Sequence, residues 1–178
     1  MGDEILSKGL YLDTNIIFGW FDRSVERARK GKPFKEPSRL KFLKSKGFSL
    51  YVSIVTRTEL FIRLKKKWNV TPKEFSNLES LWNLFRSIYR ITELIPGIPP
   101  QEHISMTDIY STVKHSLSIK TKVTKNIFGV IDFMHFHIAK INDLVYLTAE
   151  RKLNESMLKK MNELSTVITW GKFRRLLR

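Results

Sequence analysis

Along this chain, short runs of β-branched and aromatic residues alternate with longer stretches whose apolar positions recur at helical intervals. Leu10-Tyr11-Leu12 closes on Asp13-Thr14-Asn15 and leads into Ile16-Ile17-Phe18, which predicts a strand, a sharp turn and a helix. Asp22 to Lys46 is dense in Arg and Lys, and only from about Ser38, with Leu40 and Leu43, does a helical spacing emerge. That stretch is expected to be a basic insertion ending in a helix. Leu50 to Val55 predicts a second strand, with Thr56 as the N-cap of a helix carrying Glu59, Leu60, Ile62 and Leu64. Thr71-Pro72-Lys73-Glu74 sets a cap, a first-turn proline and a capping-box glutamate ahead of Leu78, Leu81, Phe85 and Ile88.

Ile91 to Ile95 predicts a third strand, and Pro96-Gly97-Ile98-Pro99-Pro100 ends regular structure. Beyond it a helix is expected around Ser105 to Leu117, then a basic passage from Lys120 to Lys125. Gly129 to Asn142 reads as a strongly apolar helix, Leu144 to Thr148 as a fourth strand, Glu150 to Leu164 as helix and Thr166 to Trp170 as a fifth strand. Such alternation implies right-handed crossovers and a parallel sheet covered on both faces. In such a sheet, ligands bind beyond the carboxyl ends of the strands, where strand order reverses.

Length and composition narrow the picture. The 178 residues suit one α/β domain, with an insertion at about 22–46 and a longer connection at about 96–125. Lys and Arg total 32 against 17 acids, a formal charge of +15, which favours a polyanionic partner. No apolar run reaches the roughly 20 residues of a membrane span, and Met1-Gly2-Asp3-Glu4 lacks the start of a signal peptide. A cytoplasmic protein without membrane contact is expected. The absence of cysteine excludes disulfides, thiolate zinc sites and cysteine nucleophiles, leaving oxygen or imidazole for any metal.

Four carboxylates fall where the strand-end rule places a site. Asp13 ends the first strand, Glu59 opens the second helix and Glu150 follows the fourth strand. Asp132 lies early in a helix that runs back antiparallel to that strand, so its first turns reach the same sheet edge. Like charges so close repel unless a cation neutralises them, and Mg²⁺ prefers carboxylate oxygens and can be shared with a phosphate.

These segments resemble the PIN family, which includes toxin ribonucleases of toxin–antitoxin pairs and RNA-processing nucleases. The likeness rests on Leu12-Asp13-Thr14-Asn15, on Ser53-Ile54-Val55-Thr56-Arg57-Thr58-Glu59-Leu60, and on Asp132 followed by Ala139 and Leu147-Thr148-Ala149-Glu150-Arg151. It implies a three-layer α/β/α sandwich around a mostly parallel five-stranded sheet. It also implies an endoribonuclease using Mg²⁺ or Mn²⁺ and leaving a 5′-phosphate and a 3′-hydroxyl. Carried over by position, Asp13, Glu59 and Asp132 become metal-binding acids, with Thr14, Asn15 and Thr148 as polar support. Glu150 stands where the family usually has aspartate, so its extra methylene changes the reach. Homodimerisation and an antitoxin partner follow from the same likeness.

Plainer readings stand beside these. Glu59 and Glu150 taken singly are ordinary acids near helix N-termini, and Asp13 taken alone is a turn or cap residue. An unpaired Asp132 in so apolar a helix is harder to dismiss. His135 and His137, which differ in facing by about 200°, are expected to be structural or surface groups rather than catalytic. Asp143 is expected in a loop at the opposite sheet edge, and Asp108 reads as an ordinary helix acid. Trp20, Trp68 and Trp82 are core or interface residues, while Tyr110 and Trp170 are candidates to stack on a base.

Among the basic runs, Asp22 to Lys46 holds ten Lys or Arg and three acids, 10 minus 3 or +7, and Arg27, Arg29, Lys30 and Lys32 are the expected RNA contacts. Two other functions stay open: a PIN domain without chemistry that binds RNA or protein, and a flavodoxin-like nucleotide-binding domain. The lack of a glycine-rich phosphate loop counts against the second.

Overall fold

The computed structural model describes residues 7–95, 130–149 and 166–177, with the side chains of 72 and 130–133 excepted. The helices expected at Ser105–Leu117 and Glu150–Leu164 lie outside these residues, as does most of the 96–125 connection.

Strand β1 (Leu10–Leu12) passes directly into α1 (Thr14–Lys30), a 17-residue helix. This corrects the expectation of irregular chain from Asp22 to Ser38. Trp20, Phe21 and Val25 bury one seam, while Arg23, Arg27, Arg29 and Lys30 are exposed, so an amphipathic helix runs on through the basic stretch. Gly31, at φ 63°, ends it in the left-handed conformation that glycine tolerates, donating its N–H to Arg27 O. Helix α2 (Ser38–Lys46) then buries Leu40 and Leu43, as expected.

Strand β2 (Leu50–Ser53) is two residues shorter than expected, because α3 (Ile54–Trp68) is capped by Ser53 rather than Thr56. Thr56 instead closes a reciprocal capping box, its hydroxyl accepting from Ser53 N at 3.2 Å while Ser53 Oγ accepts from Thr56 N at 3.4 Å. Helix α4 (Pro72–Tyr89) starts as the sequence indicates, with Thr71 and Glu74 capping one another and Pro72 in the first turn. Strand β3 (Ile91–Leu94), α5 (Val130–Ile141) and β4 (Val145–Thr148) fall within a residue or two of expectation. Strand β5 (Val167–Thr169) stops before Trp170, which opens an unforeseen short helix, α6 (Trp170–Leu176). Phe173 is buried there, and the Trp170 ring meets Phe42 edge-on at 5.6 Å. Trp170 therefore packs on the core.

The strands order as β3-β2-β1-β4-β5, and all four pairings are parallel. Every residue of β1 and β4 is buried, so both faces of the central strands are covered, as a parallel sheet requires. Gly9 permits the approach of β1 to its neighbours, since a Cβ there would lie 2.4 Å from the Tyr51 ring. Trp20, Phe21, Trp82 and Phe85 form a mutually contacting aromatic core, in which truncating Trp82 to alanine would cost about 3–5 kcal/mol. Among the described residues, no helix is long and apolar enough to cross a membrane.

The chain thus runs outward from β1 through β2 to β3, then returns to lay β4 and β5 on the other side. The strand order reverses between β1 and β4. That is the crevice where ligands gather in open parallel sheets, and Asp13 and Thr148 stand at the carboxyl ends of its two walls.

Candidate active site

Asp13 follows the last residue of β1 and is the N-cap of α1. Its backbone N–H donates to Leu147 O at 3.0 Å, tying it to β4. Its carboxylate is only 7 % exposed and accepts from the Thr148 hydroxyl at 2.5 Å and from Asn15 N at 3.4 Å. Asn15 bridges the same crevice, its amide donating to Thr148 Oγ1 at 3.2 Å and its carbonyl accepting from Ala149 N at 2.8 Å. Thr148 and Asn15 thus hold the Asp13 carboxylate, and each other, by hydrogen bonds across the crevice. Burial pushes the Asp13 carboxyl above its ordinary range, and Glu59 adds to that, while the Thr148 and Asn15 hydrogen bonds oppose it. Asp13 makes no ion pair among the described residues.

Glu59 comes to the same place from α3. With Ser53 as cap, Glu59 falls in the second helical turn rather than the first, which removes the plain reading of a first-turn dipole acid. Its Oε2 accepts from Thr14 Oγ1 and from His135 Nε2, the latter at 3.2 Å, while its Oε1 faces Arg63 Nη1 at 3.6 Å. Burial raises the Glu59 carboxyl, but the His135 and Thr14 hydrogen bonds and the Arg63 guanidinium outweigh it and hold the group below its usual range. The two acids are therefore poised in opposite directions.

Asp132 lies in the first turn of α5, three residues before His135, and its side chain lies outside the described residues. Glu150 lies outside them too, immediately after the crevice-lining Thr148 and Ala149. Among the described residues, no three His, Cys, Asp or Glu side chains converge as a metal cage. Their donor chemistry nevertheless suits a hard divalent ion. A buried carboxylate with no cationic partner among the described residues, beside a second, half-buried one, supplies the oxygens that Mg²⁺ and Mn²⁺ prefer.

His135, expected to be a structural or surface group, meets the site from α5. It is fully buried, with Nδ1 2.8 Å from the Tyr11 hydroxyl and Nε2 against Glu59. A signal was present: His135 follows Asp132 by three positions, which makes them neighbours on the helix surface. Glu93, at the end of β3, is also half-buried, but Arg57, Arg86 and the Trp82 indole engage it at 3.3, 3.0 and 3.1 Å. It holds the sheet edge to α3 and α4. Asp143 sits in the loop before β4, paired with Lys8 at 2.6 Å, as expected.

Three of the four expected RNA contacts, Arg27, Arg29 and Lys30, lie at the far end of α1, and Lys32 lies just past its C-cap Gly31. Arg27 is thirteen residues beyond Thr14, about 20 Å at the helical rise. Arg29 is engaged by Glu74, at 2.7 Å, and by Trp68 O. Lys32 pairs with Glu26 at 2.7 Å, and Lys30 lies 5.0 Å over the Trp68 ring. Nearer the acids, Arg63 stacks 4.6 Å over Phe18.

A five-stranded, wholly parallel α/β sheet with acids at its central reversal is the PIN-like fold, and this chain has it. It is similar to the crystal structure of VapBC2 from Rickettsia felis bound to a DNA fragment from their promoter, with a TM-score of 0.50 and 20% identity over 90% of this chain and 98% of that one. No protein-family model and no curated protein matches the chain.

Proposed function

We propose that this chain is a divalent-metal-dependent endoribonuclease of the PIN type and the toxin of a toxin–antitoxin pair. The observation that carries this reading is Asp13, a buried carboxylate with no ion-pair partner among the described residues, held beside Glu59 where the strand order reverses. Asp13, Glu59 and Asp132 would hold Mg²⁺ or Mn²⁺, with Glu150 assisting. The ion would activate water and neutralise charge on the scissile phosphate. The chain's own residues do the positioning. Thr148 and Asn15 fix Asp13, Thr14 and His135 fix Glu59, and the +15 charge draws a polyanion to an otherwise acidic crevice.

The partner reading draws on the neighbouring fold, since VapBC2 was solved with a promoter fragment. An antitoxin-like protein covering the crevice, a homodimer and a cytoplasmic setting belong to the same proposal. Glu150 in place of the usual aspartate favours a second reading, a PIN domain that binds RNA or protein without cutting. Metal titration separates the two.

The deciding experiment is cleavage of tRNA and rRNA with and without Mn²⁺, alongside Asp132→Asn. Cleavage should require the ion and fall to background in the variant. Equal rates in variant and wild type, in preparations free of contaminating nuclease, would overturn the assignment.

A further inference from the structure

We propose that His135 is a positioning residue that fixes Glu59 through a single ring tautomer, imposed by Tyr11 and the Ser53–Thr56 capping box. This rests on the reading of Glu59 as a site acid.

The argument follows the hydrogens. In the capping box, Ser53 Oγ accepts from Thr56 N and Thr56 Oγ1 accepts from Ser53 N. Each hydroxyl still has its own hydrogen to donate. The Tyr11 oxygen lies 2.6 Å from Ser53 Oγ and 3.1 Å from Thr56 Oγ1, much closer than the 3.5 Å between the two hydroxyls. The arrangement that gives each hydroxyl hydrogen its nearest acceptor has both donate to Tyr11 and fill its two lone pairs. The remaining hydrogen of Tyr11 then goes to His135 Nδ1, 2.8 Å away.

Nδ1 can accept only if the ring is neutral and carries its hydrogen on Nε2, which faces Glu59 Oε2 at 3.2 Å. A doubly protonated ring would turn the Tyr11 hydrogen onto Ser53 Oγ and leave the serine hydrogen only Thr56 Oγ1, at 3.5 Å. The ring is fully buried, so water offers no relief. A box that caps α3 thus also points an N–H at an acid two turns along the same helix. With Oε2 holding the Thr14 and His135 hydrogens, Oε1 is left to the crevice side, where Arg63 stands at 3.6 Å. An ordinary core histidine would satisfy its nitrogens on backbone; this one joins β1, α3 and α5 at a candidate ligand.

The test uses the whole protein. Long-range ¹H–¹⁵N correlation in metal-free wild type should show His135 as the Nε2–H form, and Tyr11→Phe, which keeps the ring packing, should mix the tautomers. Mn²⁺ affinity, followed by electron paramagnetic resonance, should fall about tenfold in His135→Leu and several-fold in Tyr11→Phe, the scale of a lost partner behind a ligand. His135→Gln, whose amide both accepts and donates, should restore most of it. Should His135→Leu fail to fold, Tyr11→Phe and His135→Gln carry the test. An Nδ1–H or charged ring in the wild type overturns the proposal. Wild-type Mn²⁺ affinity in Tyr11→Phe, with Glu59→Gln impaired, overturns it as well. If Glu59→Gln itself binds Mn²⁺ normally, the reading of Glu59 as a ligand fails, and this inference with it.

Discussion

The Thr148 hydroxyl donates to Asp13 Oδ2 at 2.5 Å, joining the end of β4 to the end of β1 across the reversal of strand order. Thr148→Val keeps the shape but removes the donor from a buried carboxylate. The loss should cost about 1–3 kcal/mol, read from urea unfolding, whereas Thr148→Ser should retain most of the stability. A valine variant as stable as wild type would show that the bond contributes little.

Asp13 should make the metal-free protein less stable as pH rises. Its native carboxyl lies above its ordinary value of 3.8, so the folded state holds the proton more tightly than the unfolded chain. The stability tied to that proton is full below the ordinary value and is lost as pH climbs through the raised one. Asp13→Asn keeps an acceptor for Thr148 and should therefore melt above wild type at neutral pH without metal. The difference should shrink toward pH 4, and a gap that widens on acidification would contradict the sign. Glu59 behaves oppositely: its contribution is present above its ordinary 4.5 and disappears as pH falls through its lowered value.

Millimolar Mn²⁺ or Mg²⁺ should stabilise the wild type by mass action, by about 2.7 kcal/mol at a hundredfold excess over Kd. For a chain of this size, that amounts to several degrees in Tm. Asp13→Asn should respond much less. Calorimetric silence together with an unmoved Tm in the wild type would remove the metal site.

On the proposed reading, Glu150→Asp should preserve much of the cleavage activity, because it shortens the side chain to the aspartate that the PIN family usually carries at the matching position. A complete loss would mean that the longer reach of Glu150 is required here.

Replacing Arg27, Arg29, Lys30 and Lys32 together with glutamine should weaken RNA binding and flatten its log–log salt slope, with Mn²⁺ affinity nearly unchanged. Arg29 is already engaged by Glu74 through paired contacts at 2.7 Å. A triple variant that spares Arg29 should therefore flatten the slope almost as far and keep the wild-type Tm. A quadruple variant with the wild-type slope would leave these cations as solvated surface.

Much of this protein could be read from local pattern. The mutual caps of Thr71 and Glu74, the apolar runs that became β1, β2 and β4, and the placement of Asp13 at a strand end all depend on residues within a few positions of one another. Local pattern misjudged places where burial decided the outcome. The basic stretch after Asp22 is helical to Lys30 because Trp20, Phe21 and Val25 had a core to enter, and charge density alone gave no sign of it. Ser53 rather than Thr56 caps α3, since each hydroxyl accepts from the other residue's backbone N–H and both meet Tyr11. The contacts of His135 with Tyr11 and Glu59 came from the tertiary structure. Its partners Tyr11 and Glu59 are 124 and 76 positions away, and Thr148 lies 135 positions from Asp13. Helical and strand periodicity act over a few residues, so only the closing of the parallel sheet, with β4 laid beside β1, could bring those atoms within hydrogen-bond reach.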